Sequence, residues 1–373
     1  MGLTSTPVLV VVAVLAVALF AATVRFWPHL ARPGAAAVSG RIGLLLATQL
    51  TLFAAVGLAA NNAFLFYGSW ADLFGRQQEL GVVTDHARSG SGSRHMARIG
   101  TQHPDVPGGR VPSVGGRIDK VVVLGRTSGI EAPAYVYLPP EYFRAAYAGR
   151  RFPAAVVLTG YPGTAENLLK GLRYPQTAHE RVKAGKAQPM ILVMLRPTVA
   201  PPRDTECVDI PKGPQTETFF AKDLPEAIAG SYRVGEKARN WGIIGNSTGG
   251  YCALKIGMRH PDRYAASAGL SAYYKAAEDP TTGDLFHGSE ELRNRADLMW
   301  TLENEPPSGG SFLVTTSREG EGNLGSTVKF IGKVKAPARV SSIVLDSGGH
   351  NFTTWRREIP PALEWLSARL SEN

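Results

Sequence analysis

The chain is poor in cysteine, with two among 373 residues. Two thiols cannot staple a disulfide-rich scaffold, and neither Cys207 nor Cys252 has His or Cys neighbours at zinc-site spacing. Aspartate, glutamate and lysine are missing altogether from residues 1–71, whose only ionised side chains are Arg25, Arg32 and Arg41. Such a segment cannot furnish the surface of a water-soluble domain. Also lacking are a P-loop, a dinucleotide fingerprint, an HExxH helix and any internal repeat. No metal and no cofactor is therefore expected. The net charge of +9 is not gathered into a basic stripe or recognition motif, which argues against nucleic acid. Acidic lipid or envelope polymer is the more natural partner of a basic chain of this kind.

What is present divides into unlike parts, although a mean hydropathy of −0.06 averages them into one. Pro7–Val24 is an uncharged run long enough, at about 1.5 Å per residue, for roughly 27 Å of hydrocarbon. Ile42–Tyr67 is a second such run, with Tyr67 and Trp70 placed as interfacial anchors. Arg25, Arg32 and Arg41 lie between or at the ends of the runs, and no basic residue precedes Val24. The positive-inside rule then puts the connecting loop in the cytoplasm and both termini outside. A cleaved signal peptide is the competing reading of the first run, but it lacks a basic n-region and a second run follows. Neither run has a polar face, which disfavours a buried hairpin. Residues 1–75 are expected to form a two-span membrane anchor. Residues 76–117, rich in Ser, Gly, Arg, His and Pro, read as a flexible linker. Residues 118–373 remain as one domain, expected outside the cytoplasm.

In that domain short β-branched runs alternate with helical patterns. Strands are expected at 118–125, 133–138, 154–159, 190–195, 241–245, 264–270, 312–316 and 340–346, and helices near 218–232, 248–259, 325–334 and 353–370. Apolar runs buried on both faces and spaced by helices indicate a mainly parallel sheet, the first two strands forming an antiparallel edge. The class is α/β.

The stretch WGIIGNSTGGYCALKIG carries the chemistry. Gly245-Asn246-Ser247-Thr248-Gly249 fits G-x-S-x-G at a strand–turn–helix junction, the sharp turn that exposes a serine hydroxyl. Gly245 and Gly249 suit it because a side chain would clash where the backbone doubles back. A serine hydroxyl needs a base. Of eight histidines, His350 in SGGHNF follows the last expected strand, where the Ser…acid…His order of α/β hydrolases puts the base. His260 lies in the surface-like segment RHPDRY, and His287 lies in an irregular region. The acid should follow FLVTT, where SREGEGN offers Glu321, preferred because a loop separates it from the next helix, and Glu319 as the alternative. Asp346 is too close to His350 along one strand. Backbone N–H groups of Thr248 and of Tyr161, in GYPGT, suit an oxyanion hole, since Pro162 has no N–H.

VYLPPEYF, LTGYPG, GNSTGGYCALKIGMRHPDRYAASAGLS and GGHNFTTWRREIPPALEWL, in this order, resemble the putative-esterase family, which includes esterase D-type carboxylesterases and secreted actinobacterial mycolyltransferases. The resemblance covers roughly residues 118–370 and implies an α/β-hydrolase fold, with Ser247 as nucleophile, His350 as base, and Tyr161 and Thr248 at the oxyanion positions. SREGEGN departs from the family's Gly-x-x-Asp pattern. Composition and GGHN are similar to those of actinobacterial cell-envelope proteins. Cys207 and Cys252, on an outward-facing domain, are candidates for one disulfide bracing DTECVD against the helix after the nucleophile; two separately buried thiols are the alternative. Glu206, Asp209 and Glu217 nearby are read as solvated loop charges. The leading expectation is a membrane-anchored serine esterase acting on a carboxylic ester, including lipid esters. An acyltransferase passing the acyl group to a sugar or lipid hydroxyl, and a non-catalytic envelope-binding protein, are the alternatives. Oligomeric state is not encoded in any of these features.

Overall fold

The computed structural model describes residues 5–64, 95–201 and 203–372. The chain forms two compact units, Met1–Glu79 and Leu80–Asn373. In the first, helix α1 (Thr6–Leu30) and helix α2 (Ala35–Phe64) make an antiparallel hairpin, with the Thr23 and Thr48 hydroxyls 3.0 Å apart across it. Both helices overrun the apolar stretches that announce them, so Arg25 and Arg41 are helical and only Arg32 lies in the turn. An apolar run marks the residues suited to hydrocarbon, whereas backbone hydrogen bonding carries a helix on into its polar ends. Val17 and Phe53 are 69% and 75% exposed, and the two helices are long and apolar enough to cross a membrane. Tyr67 and Trp70 fall outside the described residues.

The second unit is built on nine strands: β1 (Met96–Gln102), β2 (Arg117–Leu124), β3 (Glu131–Leu138), β4 (Ala154–Leu158), β5 (Ile191–Leu195), β6 (Trp241–Asn246), β7 (Ala266–Leu270), β8 (Ser311–Glu319) and β9 (Arg339–Ser347). Their order is β1-β2-β3-β5-β4-β6-β7-β8-β9. The β1, β2, β3 and β5 neighbours pair antiparallel, and every pair from β5 through β9 is parallel. All residues of β4, β5 and β6 are buried, as continuous apolar runs covered on both faces must be. Helices α3 (Tyr174–Lys183), α4 (Leu224–Ser231), α5 (Thr248–Arg259), α6 (Leu324–Lys333) and α7 (Phe352–Ser367) supply most of that cover. Val156, Val193, Ile243, Leu254 and Phe312 are among the core side chains, each contributing about 1.5–3 kcal/mol by burial.

The linker expectation for 76–117 is corrected from residue 95 onward. Met96–Gln102 is the edge strand of the sheet, paired to β2 from Met96↔Val123 to Gln102↔Ile118 with a bulge near Arg98, and Pro112–Gly115 is a one-turn helix. MARIGTQ reads as polar linker because an edge strand is held by backbone pairing and has little core to face. Residues 76–94 lie outside the described residues. Helix α3 was not expected either; its sequence YPQTAHERVK carries too few apolar residues to show a helical stripe.

Candidate active site

The parallel strands aim their C-terminal ends at one edge of the sheet, and the loops there bring the nominated residues together. Strand β6 ends at Asn246, Ser247 takes φ 55° and ψ −124°, and α5 begins at Thr248. A positive φ at a residue with a side chain is strained. It is held by Ser247 N–H donating to Leu270 O at 2.9 Å and by α5 docking on the sheet. The turn is too tight for other residues: a Cβ on Gly245 would stand 2.3 Å from Gly249 O, and one on Gly249 2.3 Å from Thr159 O.

His350 arrives from the loop between β9 and α7, its Nε2 lying 2.8 Å from Ser247 Oγ. Its ring is packed edge-on against Trp355, 5.1 Å between centroids, and Trp355 Nε1 donates to Ser271 Oγ at 2.8 Å. Asn351 starts α7 by accepting from Thr354 N–H, which fixes the loop that carries the imidazole. The other ring nitrogen, Nδ1, is 3.7 Å from Glu321 Oε1. The Glu321 side chain is fully buried, and neither of its oxygens has a hydrogen-bond partner. An approach of 3.7 Å is an ion-pair distance, longer than a hydrogen bond. Glu319, by contrast, is exposed at the end of β8, where its backbone accepts from Gly348 N–H. Asp346 is on β9 and pairs with Arg318 in solvent.

The loop after β4 lies against the serine, for a Cβ on Gly160 would meet Ser247 Cβ at 3.0 Å. Tyr161 follows, half-exposed, with a cis peptide to Pro162. Thr248 heads α5, where helix geometry leaves N–H groups of the first turn without intrahelical acceptors. Tyr161 thus follows the glycine that packs against Ser247, and Thr248 follows Ser247 itself at the start of α5.

Cys207 and Cys252 form a disulfide between the loop after β5 and α5. The charges around it are not solvated, and that expectation is corrected. Glu217 accepts from Lys255 Nζ at 2.7 Å and Arg259 Nε at 2.7 Å, with His260 Nε2 at 2.9 Å. Burial disfavours its charge, yet Lys255, His260 and Arg259 together hold its carboxyl well below the usual range. Asp209 caps Thr218, and Glu206 is 1% exposed, pushed up to about 8 by burial and then by Asp204. Sequence reading missed these because tertiary contacts alone decide whether a loop carboxylate is in water. His260, expected at the surface, is half-buried in this ion cluster, while His287 is exposed. Tyr273 and Trp355 were also missed; Trp355, five residues after His350, was the detectable one.

No group of three or more potential metal ligands occurs among the described residues. A cavity of about 390 Å³ lined by Tyr137, Pro139, His179 and Met190 sits at the N-terminal edge of the parallel strands, opposite Ser247. It takes no part in this site.

A mostly parallel sheet with a serine on a strand–helix elbow, facing a histidine beyond the last strand, defines an α/β hydrolase of the serine type. The family described as Putative esterase matches residues 126–366, and the chain belongs to it. An uncharacterized protein of Corynebacterium glutamicum is 26% identical over 257 residues, 65% of this chain and 59% of its own length, so the chain spans about three-fifths of that relative. Among solved structures, a ferulic acid esterase superposes with a TM-score of 0.58 at 19% identity, covering 68% of this chain and 98% of its own. An S-formylglutathione hydrolase from Agrobacterium tumefaciens gives 0.56 at 17%, covering 69% and 97%. At these identities the superpositions establish the fold.

Proposed function

We propose that the protein is a membrane-anchored serine esterase whose enzyme domain faces away from the cytoplasm. The observation that carries the reading is Ser247 Oγ, on its strained elbow, 2.8 Å from His350 Nε2. In this mechanism Ser247 Oγ attacks the ester carbonyl carbon while Nε2 takes its proton. The oxyanion is received by the Tyr161 and Thr248 N–H groups. Collapse expels the alcohol, which takes the proton from the imidazolium, and water attacks the acyl-enzyme by the same route. Glu321, buried beside Nδ1, stabilises the imidazolium; the pair closes to hydrogen-bonding distance as charge develops, a tightening common between resting and reacting sites. The exposed apolar faces of α1 and α2 and the arginines at their junction support two membrane spans with that junction inside. A disulfide in the enzyme domain supports an oxidising compartment. An enzyme tethered there meets esters of lipid or envelope material first.

The test is a fluorophosphonate probe applied to the full chain in detergent, alongside hydrolysis of a short-chain aryl ester. Wild type is expected to be labelled and to turn over, and Ser247→Ala to do neither. Undiminished turnover by Ser247→Ala refutes the assignment. A sugar acceptor added at high concentration reads whether water or a hydroxyl resolves the acyl-enzyme.

A further inference from the structure

A polar chain behind the elbow has no part in that mechanism. Glu206 and Cys207 stand at successive positive φ values of 48° and 52°, and the disulfide ties them to α5. The Glu206 carboxyl meets Tyr273, whose Oη lies 2.6 and 2.8 Å from the two carboxyl oxygens and 3.1 Å from Thr248 Oγ1. Tyr273 comes from the loop after β7, on the same edge as Ser247, and its ring stacks on Tyr251 of α5 at 5.1 Å. A phenol has one proton, here shared among three oxygens, so the hydrogen-bond direction depends on whether Glu206 brings a proton of its own. A protonated Glu206 donates to Tyr273, which donates onward to Thr248. An ionised Glu206 accepts the hydrogen bond of the Tyr273 O–H, leaves Thr248 to donate to Tyr273 Oη instead, and sets a full negative charge two hydrogen bonds from that residue.

We propose that Glu206, acting through Tyr273, is a positioning residue for the oxyanion-binding end of α5, and that the enzyme works with Glu206 protonated. The inference rests on the roles proposed above for Ser247 and Thr248. The charged and titratable groups that face Glu206 are Asp204 and Asp279, Lys255, Tyr273 and Tyr251. Burial and Asp204 favour its neutral form, as Asp279 does more weakly; the Tyr273 hydrogen bond and Lys255 favour the ion. Lys255 is already committed, its Nζ donating to Glu217 and to Cys207 O at 2.7 and 2.5 Å. With its carboxyl pushed up to about 8, Glu206 is neutral at pH 7 and ionises above that value. A negative charge so near the developing oxyanion slows the reaction on the order of tenfold, and acts on kcat more than on KM because the opposing charge appears only in the transition state.

The experiment is the pH dependence of kcat and KM between about pH 6 and 10, using the aryl ester and the full chain in detergent, for wild type, Glu206→Gln and Tyr273→Phe. Wild type is expected to lose kcat above about pH 8. Glutamine keeps the donor but has no proton to release, so Glu206→Gln turns over faster than wild type at pH 9.5 and lacks the alkaline decline. Tyr273→Phe removes both the hydrogen bond that favours the ion and the link to Thr248, so its decline shrinks and moves to higher pH. An active Glu206→Gln with the wild-type decline overturns the proposal. So does Tyr273→Phe with an unmoved or lowered decline, which decides the matter if Glu206→Gln does not fold. A wild-type chain inert to fluorophosphonate fails the esterase reading itself, and the positioning role falls with it.

Discussion

Removing the Cys207–Cys252 bond is expected to cost the enzyme domain about 4 kcal/mol. The bond closes a chain segment with a sequence separation of 45, which includes α4, β6 and the elbow. In the loop-entropy account, constraining the unfolded chain over such a segment is worth about 4 kcal/mol at 25 °C. For a domain of this size each kcal/mol moves Tm by about 2–4 °C, so a drop on the order of 8–16 °C is expected. Both cysteines are fully buried, and the Cys207 carbonyl accepts from Lys255 Nζ, so the loop stays partly anchored and the lower end of the range is favoured. The variant of choice is Cys207→Ala with Cys252→Ala, since serine would bury two hydroxyls without partners. Thermal unfolding of the full chain in detergent, followed by circular dichroism, gives the Tm, and ester turnover of the same sample reads the coupling to the site. A Tm within about 2 °C of wild type refutes the loop-closure reasoning.

Glu321→Gln is expected to lower kcat on the order of a thousandfold, because a buried amide beside Nδ1 cannot stabilise the imidazolium, while Glu319→Gln changes it less than about twofold; steady-state kinetics on the aryl ester decides, and equal losses would refute the choice of acid. Gly249→Ala forces a methyl carbon to within 2.3 Å of Thr159 O, and should destabilise by about 1–3 kcal/mol or more and abolish probe labelling of Ser247; a stable, labelled variant would show the elbow to be looser than its geometry. Stability is expected to fall as pH rises from about 5 to 9. Asp204, Glu206 and Glu358 have carboxyls pushed up to about 6, 8 and 8, chiefly by burial, so the folded chain binds more protons than the unfolded one across that window. Their contribution is full below the unfolded value near 4 and lost as pH passes each folded value. Glu358→Gln should flatten the decline of Tm between pH 6 and 9; an unchanged decline would refute the part assigned to it.

How legible this was depended on where each residue's environment is set. The buried parallel strands β4 to β8 could be read from the sequence because a parallel strand buried on both faces needs an unbroken apolar run, and AAVVL or ILVML leaves little else to be. The elbow was legible because its requirements are local: two glycines, a serine between strand and helix, and a histidine after the last strand. Strand β1 was not, since what makes Met96–Gln102 a strand is the free edge of β2, which pairs it through Val121–Val123 and is absent from its own composition. Glu321 was separable from Glu319 only by loop spacing. The structure shows the physical difference, one carboxyl fully buried against the imidazole and the other at a solvent-facing strand end.

The charges around Cys207 illustrate the limit most clearly, and they bear on function. DTECVD reads as a polar loop by composition, and a polar loop belongs in water. The disulfide reverses that inference by pinning the loop onto α5, after which each carboxylate must find a partner or a proton. Glu217 finds cations in Lys255 and Arg259, which α5 itself presents, with His260 one residue beyond, and remains charged. Glu206 finds a phenol and two carboxylate neighbours, and keeps its proton. The two acids sit at different points along one helix, Glu217 drawing positive charge to the body of α5 and Glu206 kept neutral beside its N-terminus. That division is the one the proposed oxyanion site needs: a negative charge near Thr248 would cancel the helix-end field that favours an anionic intermediate, whereas one further along the helix, matched by three basic groups, leaves that field intact.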